Sequence, residues 1–358
     1  MKIIHVINNL DGGGAEKLVC EFALFQKNSG YDVTVVLMLK SLNDVYSHKL
    51  IKSGVKVIRL DCVKYSVLNI YKLRRVFDKV KPDIIHSHLF PSQYYVIFAT
   101  FGINVRVITT EHNTSNSRMK NVFFKFIEGC IYSRYSKIVT ISDGVLNAYL
   151  KYLPTCAYKI IKIENGINLG EFGSNLAEKE YIGISDEIFL VTMVARFSKQ
   201  KDQESVIRAL ALLPVQINLL LVGTGEELCK CEDIANKLGL KSRVHFLGFR
   251  NDIPKILSLS DVIVLSSFWE GFGLSIVEGM ASMKPVIASN VDGLKDIVKG
   301  IGEIFNVGDY NKLAEIIMTF YTDHDYYKLV AKQCYEASQI YDIRKTNECY
   351  IKEYKEIL

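Results

Sequence analysis

Short apolar runs alternate with helix-period segments along the whole chain of 358 residues, and this alternation restricts the fold more than any other feature. Such runs, separated by amphipathic segments, predict parallel strands joined by crossover helices, the α/β class. Each half carries enough runs for a doubly wound sheet of its own. The runs of the first half are Ile3–Ile7, Val33–Leu39, Val55–Leu60, Asp83–His88, Val105–Thr110, Lys137–Ser142 and Lys159–Ile163. Those of the second half are Ile188–Ala195, Ile217–Gly223, Arg243–Gly248, Asp261–Ser267, Pro285–Ser289 and Gly302–Phe305.

The length fits two domains at roughly 150 residues each. The stretch from Asn168 to Glu187 has no sustained period and carries glycines and charges, so we place the interdomain linker there. The last residues have a helical pattern with Tyr350 and Tyr354 one turn apart. The predicted parts are a first Rossmann-like domain over 1–168, a second over 169–341, and a C-terminal helix over 342–358 that could cross back to the first domain.

The two halves differ in net charge. Residues 1–168 contain 23 Lys and Arg against 12 Asp and Glu, a net of +11, whereas residues 169–358 contain 21 against 27, a net of −6, which agrees with the +5 of the whole chain. A basic half beside an acidic half suggests that one domain meets an anionic partner, such as phosphates, nucleic acid or a membrane surface.

Several classes of protein are excluded by what the sequence lacks. No apolar run approaches the ~18 residues that span a bilayer. The start of the chain has no signal-peptide cleavage pattern, so we expect a cytoplasmic protein. The eight cysteines include no C-x-x-C pair, which favours reduced structural thiols. The motifs of α/β hydrolases, zinc proteases and P-loop enzymes are also missing from the sequence.

The most informative segment is FWEGFGLSIVEGMA, residues 268–281, which directly follows an apolar run. Gly271 and Gly273 allow a tight turn, and a helix begun near Leu274 would direct free amides towards an anion. Glu270 and Glu278 lie eight residues apart, so both carboxylates could border one ligand. Carboxylates suit sugar or ribose hydroxyls. The alternative for Glu278 is an acid that only complements the helix dipole.

In this segment and elsewhere the chain resembles glycosyltransferase family 4, the E-x7-E enzymes of the GT-B type. The resemblance covers essentially the whole chain and rests on the order of the motifs, each of which is weak alone. The motifs are GGGAE at Gly12–Glu16, TEH at Thr110–His112, ISDGV ending at Val145, ENGIN at Glu164–Asn168, ARFSKQKD at Ala195–Asp202, VGTGEE at Val222–Glu227, HFLGF at His245–Phe249 and the double-glutamate segment.

The resemblance implies two Rossmann-like domains facing a cleft, with a nucleotide sugar on the acidic second domain and the acceptor on the basic first domain. Arg196 and Lys201 would bracket the diphosphate, where fixed cations stabilise the leaving group. Glu278 would bind the ribose, and Glu270 would lie near the reacting sugar. Further donor contacts are implied for Phe246, Phe249, Phe272, Gly273 and Leu274.

In the first domain the resemblance implies that the loop of Gly13 and Gly14 presses its backbone against donor phosphates, although a plain tight turn is the alternative. His112 would contact the donor sugar, as a catalytic or only a binding residue. Glu111 is an alternative polar contact. Asn113 departs from the aspartate that often follows this histidine in the family.

We therefore expect a retaining, metal-independent glycosyltransferase that uses a UDP-sugar and a lipid-linked or polysaccharide acceptor in cell-surface glycan synthesis, with no cofactor. No D-x-D follows a strand to hold a divalent ion. Two alternatives remain open at this point: a nucleotide-sugar 2-epimerase of the same fold, and a noncatalytic nucleotide-sugar-binding subunit.

Basic and aromatic residues interleave from Ser117 to Lys137. On a helix this pattern suits peripheral docking on an anionic membrane. The alternative is an amphipathic helix whose aromatic side chains face the core. No nucleic-acid recognition module accompanies the pattern, so we expect no nucleic-acid partner.

Overall fold

The computed structural model describes residues 1–41, 44–115, 117–173 and 177–358, without side-chain detail at 117, 120, 122 and 123. The chain forms two compact units, one of Met1–Gly166 with Ile343–Leu358 and the other of Ile167–Asp342. The linker predicted at 168–187 is wrong, because its described residues already belong to the second unit. Tyr181, for example, donates its hydroxyl to Asp252 there at 2.9 Å.

The first unit contains a seven-stranded parallel sheet with the order β3-β2-β1-β4-β5-β6-β7. Its strands are β1 Lys2–Ile7, β2 Asp32–Leu39, β3 Lys56–Cys62, β4 Ile84–His88, β5 Arg106–Glu111, β6 Lys137–Thr140 and β7 Ile160–Lys162. The central strands are buried on both faces, which explains why they read as nearly continuous apolar runs.

Six helices connect these strands: α1 Gly14–Asn28, α2 Ser47–Lys52, α3 Leu68–Val80, α4 Ser92–Ala99, α5 Val122–Tyr132 and α6 Asp143–Tyr152. The sheet order reverses between β1 and β4, which lie side by side although α1 to α3 separate them in sequence. In an open parallel sheet, ligands bind outside the carboxyl ends of the strands near such a switch point.

The second unit repeats this plan with six parallel strands in the order β10-β9-β8-β11-β12-β13. Its strands are β8 Phe189–Val194, β9 Ile217–Val222, β10 Val244–Phe246, β11 Val262–Leu265, β12 Val286–Ser289 and β13 Glu303–Phe305. Its helices are α7 Gln203–Leu210, α8 Leu228–Lys237, α9 Ile253–Leu259, α10 Leu274–Ala281, α11 Lys295–Val298, α12 Tyr310–Thr322 and α13 His324–Ser338. Here the order reverses between β8 and β11.

The last helix, α14 Ile343–Ile357, belongs to the first unit. Its Tyr350 and Tyr354 are fully buried, and the Tyr350 ring lies 4.9 Å from that of Phe22 on α1. The i, i+4 tyrosine pair read from the sequence is therefore the face with which α14 packs on this unit. Among the described residues, no helix combines the length and apolarity that a bilayer crossing requires.

Candidate functional site

In the second unit, a buried carboxylate follows the central strand β11. Glu270 is 7% exposed, and the Ser267 hydroxyl donates to its Oε1 at 2.7 Å. The Lys201 ammonium forms a salt bridge with the same oxygen. The Lys201 side chain remains 19% exposed. An ammonium has three N–H donors, so this pairing leaves Lys201 able to meet an anion as well.

Hydrogen bonds to main-chain carbonyls join the loops after β8 and β11. The Phe268 amide donates to the Gln200 carbonyl at 2.8 Å, and the Gln200 side chain donates to the Trp269 carbonyl at 2.7 Å. The Ser266 hydroxyl donates to the Lys201 carbonyl at 3.0 Å. These bonds place Lys201 and Glu270 together although 69 residues separate them. No motif links Gln200 to this site, because its bonds reach Phe268 and Trp269, which are distant in sequence, whereas Ser267 lies only three residues before Glu270 and was not singled out.

Arg196 lies in the same loop after β8, and its side chain is exposed. It forms no salt bridge with any of the described residues, so its guanidinium faces solvent. The loop after β9 packs against this segment through glycine. A Cβ on Gly223 would lie 2.1 Å from the Ala195 carbonyl oxygen, and a Cβ on Gly225 would lie 2.1 Å from that of Phe197. Both positions therefore require glycine to keep the Arg196 segment in place.

The helix α10 begins where the sequence predicts, with Gly273 at φ +90° immediately before Leu274. Within its first turn the Ile276 amide donates to the Gly273 carbonyl at 3.0 Å, so the Leu274 and Ser275 amides are the ones available to an anion. Glu278 lies in the second turn and is 5% exposed. Gly293 supports the loop from behind, because a Cβ there would lie 2.6 Å from the Glu270 carbonyl oxygen.

The three phenylalanines predicted to contact the donor have different surroundings. Phe272 is buried, and its ring meets Tyr341 at 5.5 Å, so only its backbone is available to a ligand. Phe246 lies 6.1 Å from the buried ring of Phe197. Phe249 is 42% exposed and can contact a bound molecule.

In the first unit, Gly13 and Gly14 lie at the start of α1, after β1. Gly13 is the N-cap and Gly14 is the first helical residue, and both are exposed. The prediction that both form the loop is wrong for Gly14. The pair nevertheless opens a helix at the carboxyl end of a central strand, where free amides are expected.

His112 directly follows β5, at the same edge of the sheet. Its Nε2 is buried and has no hydrogen-bond partner among the described residues. Burial lowers the pKa of His112 to about 4, so the ring is neutral near pH 7. Its ring lies 5.9 Å from that of His88 at the end of β4.

Glu111, the alternative polar contact drawn from the sequence, lies in the core of the first unit. Its carboxylate is buried and accepts hydrogen bonds from Gln93 at 2.6 Å, Tyr132 at 2.5 Å and Tyr149 at 2.6 Å. Desolvation raises the pKa of Glu111 to about 7, against the opposing effect of the tyrosine hydrogen bonds. The TEH motif therefore places one polar side chain in the core and one at the strand end.

The segment from Ser117 to Lys137 only partly matches the membrane-docking prediction. Tyr132 and Tyr135 are fully buried, so these aromatic side chains face the core. Arg118 pairs with the buried Glu128 at 2.6 Å. Phe124 and Phe126 are exposed at 38% and 74%. The side chains of Ser117, Lys120 and Phe123, which the prediction also included, lie outside the described residues.

Three buried histidines form a cluster that no sequence motif singled out, although His86 and His88 lie two residues apart in the run DIIHSH. His5, His86 and His88 offer ring nitrogens within 4.8 Å of one another, an arrangement that could hold a metal ion. Each ring also has a protein partner: His5 bonds Gln26 at 2.8 Å and His88 at 3.1 Å, and His86 bonds Tyr354 at 2.5 Å.

Comparisons with known proteins agree with this two-part architecture. The model described as "Glycosyltransferase Family 4" matches residues 12–171, and the model described as "Glycosyl transferases group 1" matches residues 176–337. HepE of Anabaena, crystallised with UDP and glucose, is 23% identical and superposes with a TM-score of 0.88, covering 99% of each chain.

Curated relatives show the same likeness. An uncharacterized glycosyltransferase of Methanocaldococcus jannaschii, MJ1607, is 30% identical over 61% of this chain and 60% of its own length. A UDP-Gal:α-D-GlcNAc-diphosphoundecaprenol α-1,3-galactosyltransferase of Escherichia coli is 29% identical over 75% of this chain and 73% of its own. Since models of both halves match one chain in order, and the fold agrees along its length, this protein is a member of glycosyltransferase family 4 with the GT-B fold.

Proposed function

We propose that the protein transfers a sugar from a UDP-sugar to a hydroxyl group of a lipid-linked saccharide, with retention at the anomeric carbon and without a divalent metal. The observation that carries this proposal is the grouping of Lys201 and Glu270 at the carboxyl ends of β8 and β11, beside the first turn of α10. This grouping offers cations and amides for a diphosphate, and carboxylates for sugar hydroxyls.

The donor contacts follow from these positions. Arg196 and Lys201 bind the diphosphate together with the first amides of α10, and they stabilise the negative charge that develops as the sugar departs. This charge stabilisation takes the place of a divalent ion. Glu278 accepts hydrogen bonds from the ribose, and Phe249 flanks the base. Glu270, held by Ser267 and Lys201, orients the hydroxyls of the transferred sugar.

The acceptor is assigned to the first unit because that half carries the positive charge. Retention requires the acceptor hydroxyl to approach on the face that the diphosphate leaves, and we propose that a departing phosphate oxygen takes its proton. His112, neutral through burial, then serves as a hydrogen-bonding contact to the donor sugar. The lipid-linked acceptor is proposed by analogy with the Escherichia coli relative, whose name specifies a diphosphoundecaprenol-linked sugar.

The test is incubation of the purified chain with UDP-sugars, with and without undecaprenyl-diphosphate-linked N-acetylglucosamine. We expect product only with both substrates, an unchanged rate in EDTA, and an α-anomeric proton in the NMR spectrum of a product made from an α-linked donor. Epimerised donor in the absence of acceptor would instead establish a 2-epimerase. Loss of activity in EDTA would contradict the metal-independent mechanism.

Donor binding has its own matched pair of variants. Glu278→Gln should weaken UDP binding about tenfold, because the neutral amide is a poorer acceptor for ribose hydroxyls. Glu232→Gln, an exposed acid on α8, should bind UDP like the wild type. Thermal shift with UDP measures both variants, and it would also detect a binding subunit that lacks transferase activity.

A further inference from the structure

Large apolar side chains are exposed together on one side of the first unit. They lie on the loop before α3, on α3 itself, and at and after the end of α4. Each is between 52% and 78% exposed. We call this the α3–α4 surface, and it consists of Tyr65, Val67, Leu68, Tyr71, Phe98 and Phe101. Single exposed apolar residues are ordinary in soluble domains, but a contiguous group of this size marks an interaction site.

Hydrogen bonds join the segments that carry these side chains. The Tyr95 hydroxyl on α4 donates to the Lys64 carbonyl at 3.0 Å, which holds the loop before α3 against α4. At the other end, the Arg74 guanidinium on α3 donates to the Phe101 carbonyl at 2.7 Å. The two helices therefore lie side by side, with Tyr71 and Phe98 between these two points of contact.

The charges around the surface are almost all positive. Residues 63–81 contain six Lys and Arg and a single acid, Asp78, which is paired with Arg74 at 3.1 Å. Cations also lie over the exposed rings: Lys64 is 5.4 Å from the Tyr65 centroid, Arg75 is 5.8 Å from that of Tyr71, and Arg134 is 5.7 Å from that of Phe101. This combination of apolar and basic side chains is complementary to a partner with an apolar interior and an anionic surface.

We propose that the α3–α4 surface docks the enzyme on an anionic lipid bilayer, with its aromatic and aliphatic side chains at the level of the lipid headgroups and its cations on the phosphates. This inference rests on the proposed lipid-linked acceptor, which a membrane-bound enzyme reaches without extracting it from the bilayer. The α3–α4 surface replaces the 117–137 segment as the proposed docking surface, because Tyr132 and Tyr135 of that segment are buried and the α3–α4 surface has more exposed apolar side chains.

The experiment is cosedimentation of the full chain with vesicles of phosphatidylcholine containing about 30% phosphatidylglycerol, at roughly 0.1 M salt. We expect the wild type to bind these vesicles, and to bind pure phosphatidylcholine vesicles at least about tenfold more weakly. The triple variant Val67→Ser, Leu68→Ser, Tyr71→Ser should lose affinity by about tenfold or more, because each change removes apolar contact with the bilayer.

Two control variants remove comparable exposed apolar side chains elsewhere. The first is Leu212→Ser with Val215→Ser in the second unit, and the second is Phe126→Ser on α5. Both should keep vesicle affinity within about twofold of the wild type. Unchanged urea unfolding curves establish that every variant is folded, whichever unit carries the substitution.

Three outcomes would overturn the inference: no vesicle binding by the wild type, undiminished binding by the triple variant, or loss of binding in Phe126→Ser alone. Each can occur while sugar transfer to a soluble acceptor remains intact. Failure of the docking surface is therefore distinguishable from failure of the proposed function.

Discussion

The two units share a strand order but differ in where they place polar side chains. In the first unit, β1 and β4 carry His5, His86 and His88 within the strands, all fully buried. In the second unit, the corresponding strands β8 and β11 read FLVTMV and VIVL, and the reactive groups lie in the loops that follow. Polar side chains inside a sheet form hydrogen bonds with one another, whereas polar side chains at the strand ends can still bind a ligand.

The two units also differ in the partners that their polar side chains find. Tyr354 on α14 hydrogen-bonds to His86, and Tyr350 on the same helix hydrogen-bonds to Thr110 at 3.0 Å. The last helix thus supplies partners for polar atoms that the first sheet buries. In the second unit, the Lys201–Glu270 pair lies at a strand end, where Lys201 remains 19% exposed and can exchange its partner for a substrate. The comparison predicts chemistry in the second unit and pH-sensitive stability in the first.

The largest expected effect concerns Lys201. Lys201→Met should lower the transfer rate by about 10²–10³-fold, roughly 3–4 kcal/mol of transition-state stabilisation, because a fixed cation at the leaving group is lost. Lys199→Met, in the same loop but exposed, should leave the rate nearly unchanged. Steady-state kinetics with saturating donor measures both variants.

Loss of Lys201 also leaves the Glu270 carboxylate without its salt-bridge partner. A second substitution at Glu270 therefore distinguishes the effect of Lys201 on stability from its effect on the transfer rate. Adding Glu270→Gln to Lys201→Met should recover thermal stability without recovering activity, since the buried charge is gone but the cation is still missing. Recovery of the transfer rate in the double variant would show that Lys201 acts only by holding Glu270.

The second effect is a loss of stability in the first unit between pH 7 and pH 5. Burial lowers the pKa of His5 and His112 to about 4 and holds those of His86 and His88 well below their usual value. Below pH 6.5 the unfolded chain binds protons that the folded unit cannot, which costs roughly 2 kcal/mol at pH 5 for each of His5 and His112, and His86 and His88 act in the same direction.

Glu111 acts in the opposite direction. Its pKa is raised to about 7, so the folded unit binds this proton earlier than the unfolded chain and gains roughly 3 kcal/mol by pH 5. We expect a net loss of a few kcal/mol, seen as weaker hydrogen-exchange protection in β1, β4 and β5. In the second unit burial lowers the pKa of His245, so a smaller change is expected there. Equal loss in both units would refute the contrast.

The third effect tests the backbone support of Glu270. Gly293→Ala forces a Cβ into the Glu270 and Gly271 backbone at 2.6–2.9 Å, in addition to the strain of φ +85°. We expect a cost of roughly 2 kcal/mol or more together with weaker UDP binding. Gly300→Ala shares a φ of +80° but meets no neighbouring atom within 4 Å, so it should cost about 1 kcal/mol and leave UDP binding unchanged. Urea unfolding and thermal shift with UDP make the comparison.

The smallest effect tests the closing helix. Tyr354→Phe removes the hydroxyl that bonds His86, leaving a buried ring nitrogen unpaired at a cost of about 1–2 kcal/mol. Tyr158→Phe, at a ring that is 80% exposed, should change stability by less than about 0.5 kcal/mol. Hydrogen exchange in β4 reports the difference. Equal protection in the two variants would mean that α14 holds the unit by apolar packing alone.

The strands and the motif-bearing loops were predictable because their signals are local. All thirteen strands overlap the apolar runs read from the sequence, and α10 begins at Leu274 as predicted. Glu270, Glu278, Arg196 and Lys201 were identified by their motifs. Motifs could not reveal that Lys201 pairs with Glu270, since that contact depends on how three crossover connections bring β8 beside β11.

The same limit applies to Glu111 and to the 117–137 segment. The motif around Glu111 does not specify which of its side chains points into the core. Tyr132 on α5 and Tyr149 on α6 donate hydrogen bonds to the Glu111 carboxylate and hold it there. The composition of the 117–137 segment, rich in basic and aromatic residues, is typical of a helix on a membrane surface. Packing against α6 and the sheet nevertheless buries Tyr132 and Tyr135.

Amino-acid order alone thus determined the alternating elements, the two sheets, the terminal helix and the family, because periodicity and short motifs act over a few residues. Tertiary packing decided which charges meet, which histidines lose their protons and which apolar side chains remain in water. The physical reason is that desolvation and pairing depend on neighbours far away in the chain, and only the folded backbone brings those neighbours within contact distance.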